Sequence, residues 1–368
     1  MLRDHGHDAY VLQLGLDPND SLVKESTWSS PIFEISEGHL FSAVPIPSEK
    51  YQRTCLGYHF FLKKYVAKFR EMFLVAVDLW GLPDVIHAHV SLPGGFIASV
   101  IGKEFNIPVI VQEHYSGFES DAKFWWRVGK FARDMGENID GFYAVSPGFA
   151  ARIKATKIIH VDGVLPNPIN TELFNFSKKK KAVGVFKIVT AGNLCALKGS
   201  DILINALRLI PPGIHWEAFF CGSFNNKESY AHLLNDHNLI GKVHFLGKVQ
   251  QEELAELYST ADLYVVSSRS ETANVSMLEA MACGAPVLTT ECGGPETLID
   301  ETVGVKIPRN NPLEMNKEIM KFILGEYRFN RLNLREFILK NYSTNSVIQK
   351  VISAYHLAIY RKRYKNNI

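Results

Sequence analysis

Several features that define particular classes of protein are missing from this sequence of 368 residues. No uninterrupted apolar run is long enough to span a bilayer, and the first residues lack the apolar core of a signal peptide, which predicts a soluble or peripheral protein. The five cysteines are scattered, odd in number and without zinc spacing, so they predict reduced thiols and a cytoplasmic protein. A formal net charge of +2 is too small to indicate a nucleic-acid partner.

Length and composition predict two ordinary globular domains. The chain exceeds the usual size of one domain, its apolar fraction is 46%, and it contains no internal repeat or low-complexity tract. The lysine run at residues 178–181 is typical of a solvated connection, and we place the domain boundary there. We therefore expect a first domain in residues 1–177, a second in residues 182–341, and a last long helix within residues 342–368.

The order of apolar and glycine-rich segments predicts α/β domains. Residues 83–114 are predicted to form a strand, a loop, a helix that starts at Gly94 and Gly95, and a second strand. Residues 186–207 are predicted to form a buried strand, a glycine loop and a helix. Such units build doubly wound, Rossmann-like sheets that bind ligands at the carboxyl ends of their strands.

The stretch that indicates most about function is residues 267–296, SSRSETANVSMLEAMACGAPVLTTECGGPE. A polar loop there follows a strand and leads into a helix that we expect to begin near Asn274, so free amides and the helix dipole favour an anion such as a diphosphate. Glu271 and Glu279 bracket this helix start, and carboxylates accept the paired hydroxyl groups that sugars offer. The alternative is that Glu271 is a charge at a helix end and Glu279 a solvated surface residue.

This stretch resembles the E-x7-E signature of the retaining GT-B glycosyltransferases, the glycosyl transferases of group 1 or family 4. The family pattern continues as E-A-M-A-C-G-x-P-V and a G-G-x-E turn, and residues 279–287 and 293–296 follow it as EAMACGAPV and GGPE. The resemblance covers nearly the whole chain and is strongest over residues 187–299. It implies an α/β GT-B fold in which two Rossmann-like domains face a cleft and the last helix packs back on the first domain.

The resemblance also implies a phosphate-binding turn in the second domain. The family motif is G-R-L-x-x-x-K-G, of which this chain keeps Lys198 and Gly199 but carries Asn193 at the arginine position. One cationic group is therefore missing, and we expect weaker phosphate binding unless another residue helps. Lys198 as an ordinary surface lysine is the alternative.

Three residues are the catalytic candidates that the resemblance implies. Glu271 is expected to hold the hydroxyl groups of the donor sugar, Lys198 to neutralise the diphosphate, and His114, just past a strand end, to reach a distal sugar hydroxyl across the cleft. Glu279 is expected at the ribose. The other expected donor-binding residues are Gly192, Asn193, Gly199, Leu246, Gly247, Lys248, Asn274, Val275 and Ser276. Asn274 stands beside Ala273 where many relatives have Phe-Gly, and asparagine tolerates a left-handed backbone.

No metal or other cofactor is expected. Folds that use a metal to bind the diphosphate usually show an Asp-x-Asp tripeptide, and none occurs here. His87 and His89 alternate on one strand face and could chelate a metal, but no third ligand is evident and two such histidines are more often core residues. His114 by itself could equally be structural.

Two segments leave further alternatives open. Residues 2–15 resemble the end of a first helix, a stop at Gly6 and a second strand, so the first strand of the first domain and its glycine loop are predicted to be missing, unless this lineage starts differently. Residues 51–79 are predicted to form a basic, aromatic helix that lies on an anionic membrane or packs on the core, and residues 360–365 (YRKRYK) add a second such signal.

The sequence therefore predicts a retaining glycosyltransferase of polysaccharide biosynthesis. It would move a sugar from a nucleotide-sugar, UDP-linked, to a cell-surface glycan or lipid-linked precursor, with peripheral contact to the inner membrane face. A nucleotide-sugar epimerase of the same architecture is one alternative. A catalytically defective or partner-dependent subunit is another, because of the missing strand and Asn193.

Overall fold

The computed structural model describes residues 1–15, 32–36, 38–43, 55–115, 117, 122–176, 184–223, 236 and 238–365. The chain forms two compact units. The first comprises Met1–Ala144, Ile153–Gly163 and Lys350–Ile368, and the second comprises Val145–Arg152 and Val164–Gln349. The lysine run of the predicted boundary lies outside the described residues, so the division at that run stays a prediction.

The first unit contains two sheets with helices beside them. Its amino-terminal turn, Arg3–His5, ends at Gly6 with φ 80°, as the sequence predicts. The strands and helices that follow along the chain are β1 (Val11–Gly15), β2 (Phe33–Ser36), β3 (His39–Ala43), α1 (Cys55–Trp80), β4 (Ile86–His89), α2 (Phe96–Glu104), β5 (Val109–Glu113), α3 (Ala122–Glu137), β6 (Gly141–Ala144), α4 (Pro147–Thr156) and β7 (Gly163–Val164). Residues 147–152 of α4 belong to the second unit. The sheet orders are β1-β3-β2 and β4-β5-β6-β7, with β4, β5 and β6 parallel.

Helix α1 is amphipathic and packs its apolar face on the first unit. Leu62, Tyr65 and Phe73 recur at helical spacing and pack on α2 through Ile97 and Ile101. Burial of this stripe stabilises the helix, because side chains of this size each contribute roughly 1.5–3 kcal/mol when removed from water. The core-packing alternative therefore holds for the apolar face of α1.

The second unit is a six-stranded parallel sheet among the described residues. Its elements are β8 (Phe186–Ala191), α5 (Ser200–Leu207), β9 (Trp216–Cys221), β10 (Val243–Gly247), α6 (Gln251–Thr260), β11 (Leu263–Val266), α7 (Val275–Ala282), β12 (Val287–Thr290), β13 (Gly304–Ile307), α8 (Pro312–Ile323) and α9 (Arg331–Tyr342). The last helix, α10 (Thr344–Lys365), begins in this unit and belongs to the first unit from Lys350 onward. The strand order is β10-β9-β8-β11-β12-β13. The order reverses between β8 and β11, and open α/β sheets bind ligands in the crevice at such a reversal, at the carboxyl ends of the strands.

Helices cover both faces of this sheet. On one face Met277, Leu278 and Met281 of α7 pack with Leu334 and Ile338 of α9, and on the other face α5 packs with α8. The strands between them are buried on both sides, which explains their continuous apolar sequences. None of the helices in the described part of the chain is long and apolar enough to cross a membrane.

Candidate functional site

The two loops at the strand-order reversal of the second unit touch each other. Lys198 ends a short helical turn after β8, and Gly199 follows it with φ 64°. A Cβ atom at Gly199 would lie 1.9 Å from the carbonyl oxygen of Ser267 after β11, so only glycine fits this approach. The hydroxyl of Ser267 in turn donates to the carbonyl of Lys198 at 2.9 Å.

Lys198 and Glu271, predicted from separate motifs, meet in this crevice. Lys198 Nζ donates to Glu271 Oε1 at 2.6 Å, and the same oxygen accepts from Ser268 Oγ and Asn274 Nδ2, both at 3.0 Å. The Glu271 side chain is only 7% exposed, whereas that of Lys198 is 34% exposed. All three donors bind Oε1, and no described residue donates to Oε2. The carboxylate is therefore fixed by one oxygen and leaves the other for a ligand.

The amino terminus of α7 also points to this crevice. Asn274 adopts the left-handed conformation expected of it, with φ 57°, and its Oδ1 accepts from the amide of Met277 at 2.9 Å. The first amides of a helix have no partner within it, and those of α7 include Val275 and Ser276, which are predicted to bind the donor. Their position suits an anion, because the positive end of the helix dipole lies there.

The other predicted donor-binding residues lie along the same strand edge of the second unit. Gly192 and Asn193 line the crevice with Lys198 and Asn274. The amide of Gly192 donates to Cys221 O, and the amide of Gly222 donates to Gly247 O. These bonds join the ends of β8, β9 and β10, and they place the backbone at Leu246, Gly247 and Lys248 on this edge.

Glu279 lies in the second turn of α7 and is partly buried. Burial raises the pKa of its carboxyl group to about 7. No hydrogen bond or ion pair joins this side chain to another residue in the described part of the chain. A carboxyl group in that environment gains most from a ligand that donates hydroxyl hydrogen bonds, because the desolvated charge then has partners.

His114 belongs to the first unit, directly after β5. Its ring nitrogen Nε2 lies 3.0 Å from Nδ1 of His89, and burial lowers the pKa of His114 to about 4. His87 stacks on His89 with ring centroids 4.6 Å apart, and its Nδ1 lies 2.9 Å from the hydroxyl of Tyr355. Among the described residues no group of three His, Cys, Asp or Glu side chains is arranged to hold a metal ion.

Two arginines of the second unit stabilise the crevice and were not predicted. Arg269 forms a two-pronged ion pair with Asp201, with nitrogen–oxygen distances of 2.8 and 2.7 Å, and so ties the loop of Glu271 to the turn of Lys198. Arg152 donates from one nitrogen to the carbonyl of Glu271 at 2.8 Å and from the other to that of Cys292 at 3.3 Å. Their partners could not be predicted from the sequence, because each arginine binds residues that are far away along the chain.

Comparison with known proteins agrees with this architecture. A model of Glycosyltransferase Family 4 matches residues 1–173, and a model of Glycosyl transferases group 1 matches residues 172–341. Sucrose-phosphate synthase from Thermosynechococcus elongatus superposes with a TM-score of 0.71 at 20% identity, covering 94% of this chain and 87% of that one. The Anabaena protein HepE in complex with UDP superposes with a TM-score of 0.68 at 17% identity, covering 94% and 99%.

A curated relative aligns along most of its length. The D-inositol 3-phosphate glycosyltransferase 1 of Catenulispora acidiphila is 25% identical over 311 residues, which are 75% of this chain and 72% of that protein. For three other curated relatives the aligned region spans 66%, 45% and 40% of the relative's length.

These matches define the class of protein. The fold is that of the GT-B glycosyltransferases, as the sequence predicts. The chain belongs to the group 1 and family 4 glycosyltransferases.

Proposed function

We propose that this protein is a retaining glycosyltransferase that moves a sugar from a UDP-sugar to a cell-surface glycan or a lipid-linked precursor. The observation that carries the proposal is the meeting of Lys198, Glu271 and the amino terminus of α7 at the strand-order reversal of the second unit. The UDP complex of the structurally similar HepE supports the choice of UDP.

The crevice has the groups that sugar transfer from a nucleoside diphosphate requires. The departing diphosphate accumulates negative charge, and Lys198 with the amides of Val275 and Ser276 would stabilise it without a metal ion. Glu271 would bind the sugar hydroxyls through Oε2, and Glu279 the ribose. The bond from the anomeric carbon to the phosphate oxygen breaks, and the acceptor oxygen forms a new bond on the same face. The leaving phosphate takes the acceptor's proton, so no protein base is needed.

Binding of the diphosphate changes the partner of Lys198. The ammonium group is bound to Glu271 in the structure, so a phosphate must compete for it. The exchange is favourable because a diphosphate carries more charge than one carboxylate. The roles of His114 at the sugar and of the backbone at residues 246–248 at the base remain parts of this proposal.

We also propose that the protein acts in the cytoplasm and binds the inner membrane face peripherally. On α1 the ring of Phe60 is 51% exposed and Lys64 lies over it at 4.9 Å, and on α10 Tyr360 and Tyr364 are more than half exposed beside basic residues. Aromatic rings flanked by cations suit the boundary of an anionic bilayer. Sedimentation with anionic vesicles tests this part. If the Phe60→Ser, Tyr360→Ser double variant bound the vesicles as well as the wild-type protein, the proposal of membrane binding would be contradicted.

The test of the site uses Glu271→Ala and Lys198→Ala with matched surface controls. Glu314→Ala and Lys317→Ala remove an exposed ion pair of α8. Release of UDP from a panel of UDP-sugars should fall at least about 100-fold in the two site variants and stay unchanged in the controls. Unchanged turnover in both site variants would refute the assignment.

The same assay separates the two alternatives. An epimerase converts the UDP-sugar to an isomer without any acceptor, which NMR of the products detects. A defective or partner-dependent subunit gives no turnover, and the absence of a thermal shift with every UDP- and GDP-sugar would favour it.

A further inference from the structure

His114 is held by its neighbours in the first unit through both its backbone and its ring. The backbone is fixed by Glu113, which is completely buried. Glu113 Oε1 accepts from the amides of His114 at 2.9 Å and Tyr115 at 2.8 Å, and Oε2 accepts from the amide of Ser91 at 2.8 Å and from the Ser91 hydroxyl. One carboxylate therefore ties the loop after β5 to the loop after β4.

The loop after β4 is strained where Glu113 holds it. Val90 adopts φ 67° and ψ 133°, a backbone conformation that costs a β-branched residue on the order of 1–3 kcal/mol. The amide of Val90 donates to Gln112 O at 2.9 Å, and its carbonyl accepts from Gly95. Such strain persists only where surrounding bonds maintain it, and it clusters at functional sites.

The ring of His114 is fixed by His89. Nε2 of His114 and Nδ1 of His89 lie 3.0 Å apart and share one hydrogen bond whose direction depends on the tautomer, and His89 is itself held by stacking on His87. Burial lowers the pKa of both rings, so both are neutral at pH 7 and one proton lies between them. The structure shows no partner for His114 Nδ1 among the residues it describes.

We infer that His89 and Glu113 are positioning residues that orient His114 so that its Nδ1 faces the ligand. The inference rests on the proposed function, in which His114 contacts a hydroxyl of the donor sugar, and it adds how neighbouring residues orient the ring. If His89 donates to His114, Nδ1 carries a proton and donates to that hydroxyl; with the opposite tautomer, Nδ1 accepts from it. His89 thus selects the direction of the bond.

The experiment compares His89→Ala, Glu113→Gln and His114→Ala with the double variants His89→Ala/His114→Ala and Glu113→Gln/His114→Ala. We expect each single variant to lower turnover of UDP-sugar roughly 5- to 10-fold or more. The double variants should be no slower than His114→Ala alone, because His89 and Glu113 act through His114. His160→Ala, which changes an 84% exposed histidine of the same unit, is the control and should keep full activity.

The tautomer of the His114 ring can also be measured directly, independently of activity. Nitrogen-15 shifts of His114 in the wild-type protein should show a single neutral tautomer, and His89→Ala should give an average of two. Imidazole added to His89→Ala should restore part of the turnover. If Glu113→Gln does not fold, Ser91→Ala is the substitute variant, because it removes the hydroxyl that donates to Glu113 and leaves the carboxylate in place.

The outcomes separate this inference from the proposed function. Full activity of His114→Ala would refute the proposed role of His114 in sugar transfer. An impaired His114→Ala with multiplicative losses in the double variants, or an unchanged tautomer in His89→Ala, would overturn only the positioning by His89 and Glu113.

Discussion

The ammonium nitrogen of Lys198 lies 2.6 Å from Oε1 of Glu271, although 73 residues of sequence separate the two. The pair joins the turn after β8 to the loop after β11. The pair also neutralises the cation that is expected to bind the diphosphate. Competition for Lys198 therefore governs donor binding in the proposed mechanism.

Glu271→Gln should bind UDP as tightly as the wild-type protein or several-fold more tightly, because Lys198 is then released from its ion pair. Turnover should fall, since the neutral amide is a weaker acceptor for the sugar hydroxyls. Lys198→Met should weaken UDP binding roughly tenfold or more, because it removes a charged hydrogen bond to phosphate. Calorimetric titration with UDP measures both effects. If both variants bound UDP more weakly to the same extent, the proposed competition between Glu271 and phosphate for Lys198 would be contradicted.

Asn193→Arg should tighten UDP binding several-fold. The position lines the crevice beside Lys198, and the Asn193 side chain is exposed, so a longer cation fits without displacing core residues. An added guanidinium would supply the charge that the glycine turn lacks. The control is Asn193→Gln, which lengthens the side chain without charge and should leave the affinity unchanged. No gain with arginine would indicate that the phosphate lies elsewhere.

Arg269→Met and Asp201→Asn should each lower both the melting temperature and the turnover, because their ion pair holds the two site loops together. The coupling between them should be about 1 kcal/mol or less, since both side chains are about one third exposed and solvent screens the pair. A double-mutant cycle in urea unfolding measures it. Additive effects would show that the pair contributes no interaction energy.

Asn274→Ala should lower the free energy of unfolding by about 1–2 kcal/mol, because it removes the helix cap and places alanine at φ 57°. Asn274→Gly should cost less, since glycine adopts this conformation freely. Asn274→Asp keeps an oxygen for the cap but places a second carboxylate beside Glu271. We expect it to fold and to bind UDP more weakly than either neutral variant. Calorimetric unfolding and UDP titration check the order.

Glu279 should make stability and donor binding depend on pH in opposite directions. Its pKa is about 7 in the folded protein against 4.5 for the free side chain, so folding favours the protonated form. The stability present below pH 4.5 should be lost as pH rises to about 7, by at most about 3 kcal/mol. The free energy of unfolding of the wild-type protein should therefore fall over this pH range, whereas that of Glu279→Gln should not show this decline. UDP affinity should instead rise over the upper part of that range, because the ionised carboxylate accepts both ribose hydroxyls.

The sequence alone determined that the chain forms α/β units, and it placed Lys198, Glu271 and Asn274 at the carboxyl ends of strands or at the start of a helix. Buried parallel strands require largely apolar segments. The turn at Gly199 and the helix cap at Asn274 require particular residue types, so these features can be predicted from the local sequence. The GT-B resemblance followed from residues 279–287 and 293–296, and the family matches confirm it.

Only the tertiary structure decided which side chains meet. Glu271 is bound by Lys198, its carbonyl by Arg152, and the turn beside it by Arg269 with Asp201. His114 likewise shares its proton with His89 of the neighbouring strand. Parallel strands bring residues far apart in the chain to one edge of the sheet, and hydrogen-bond distances between such residues depend on packing rather than on any local pattern.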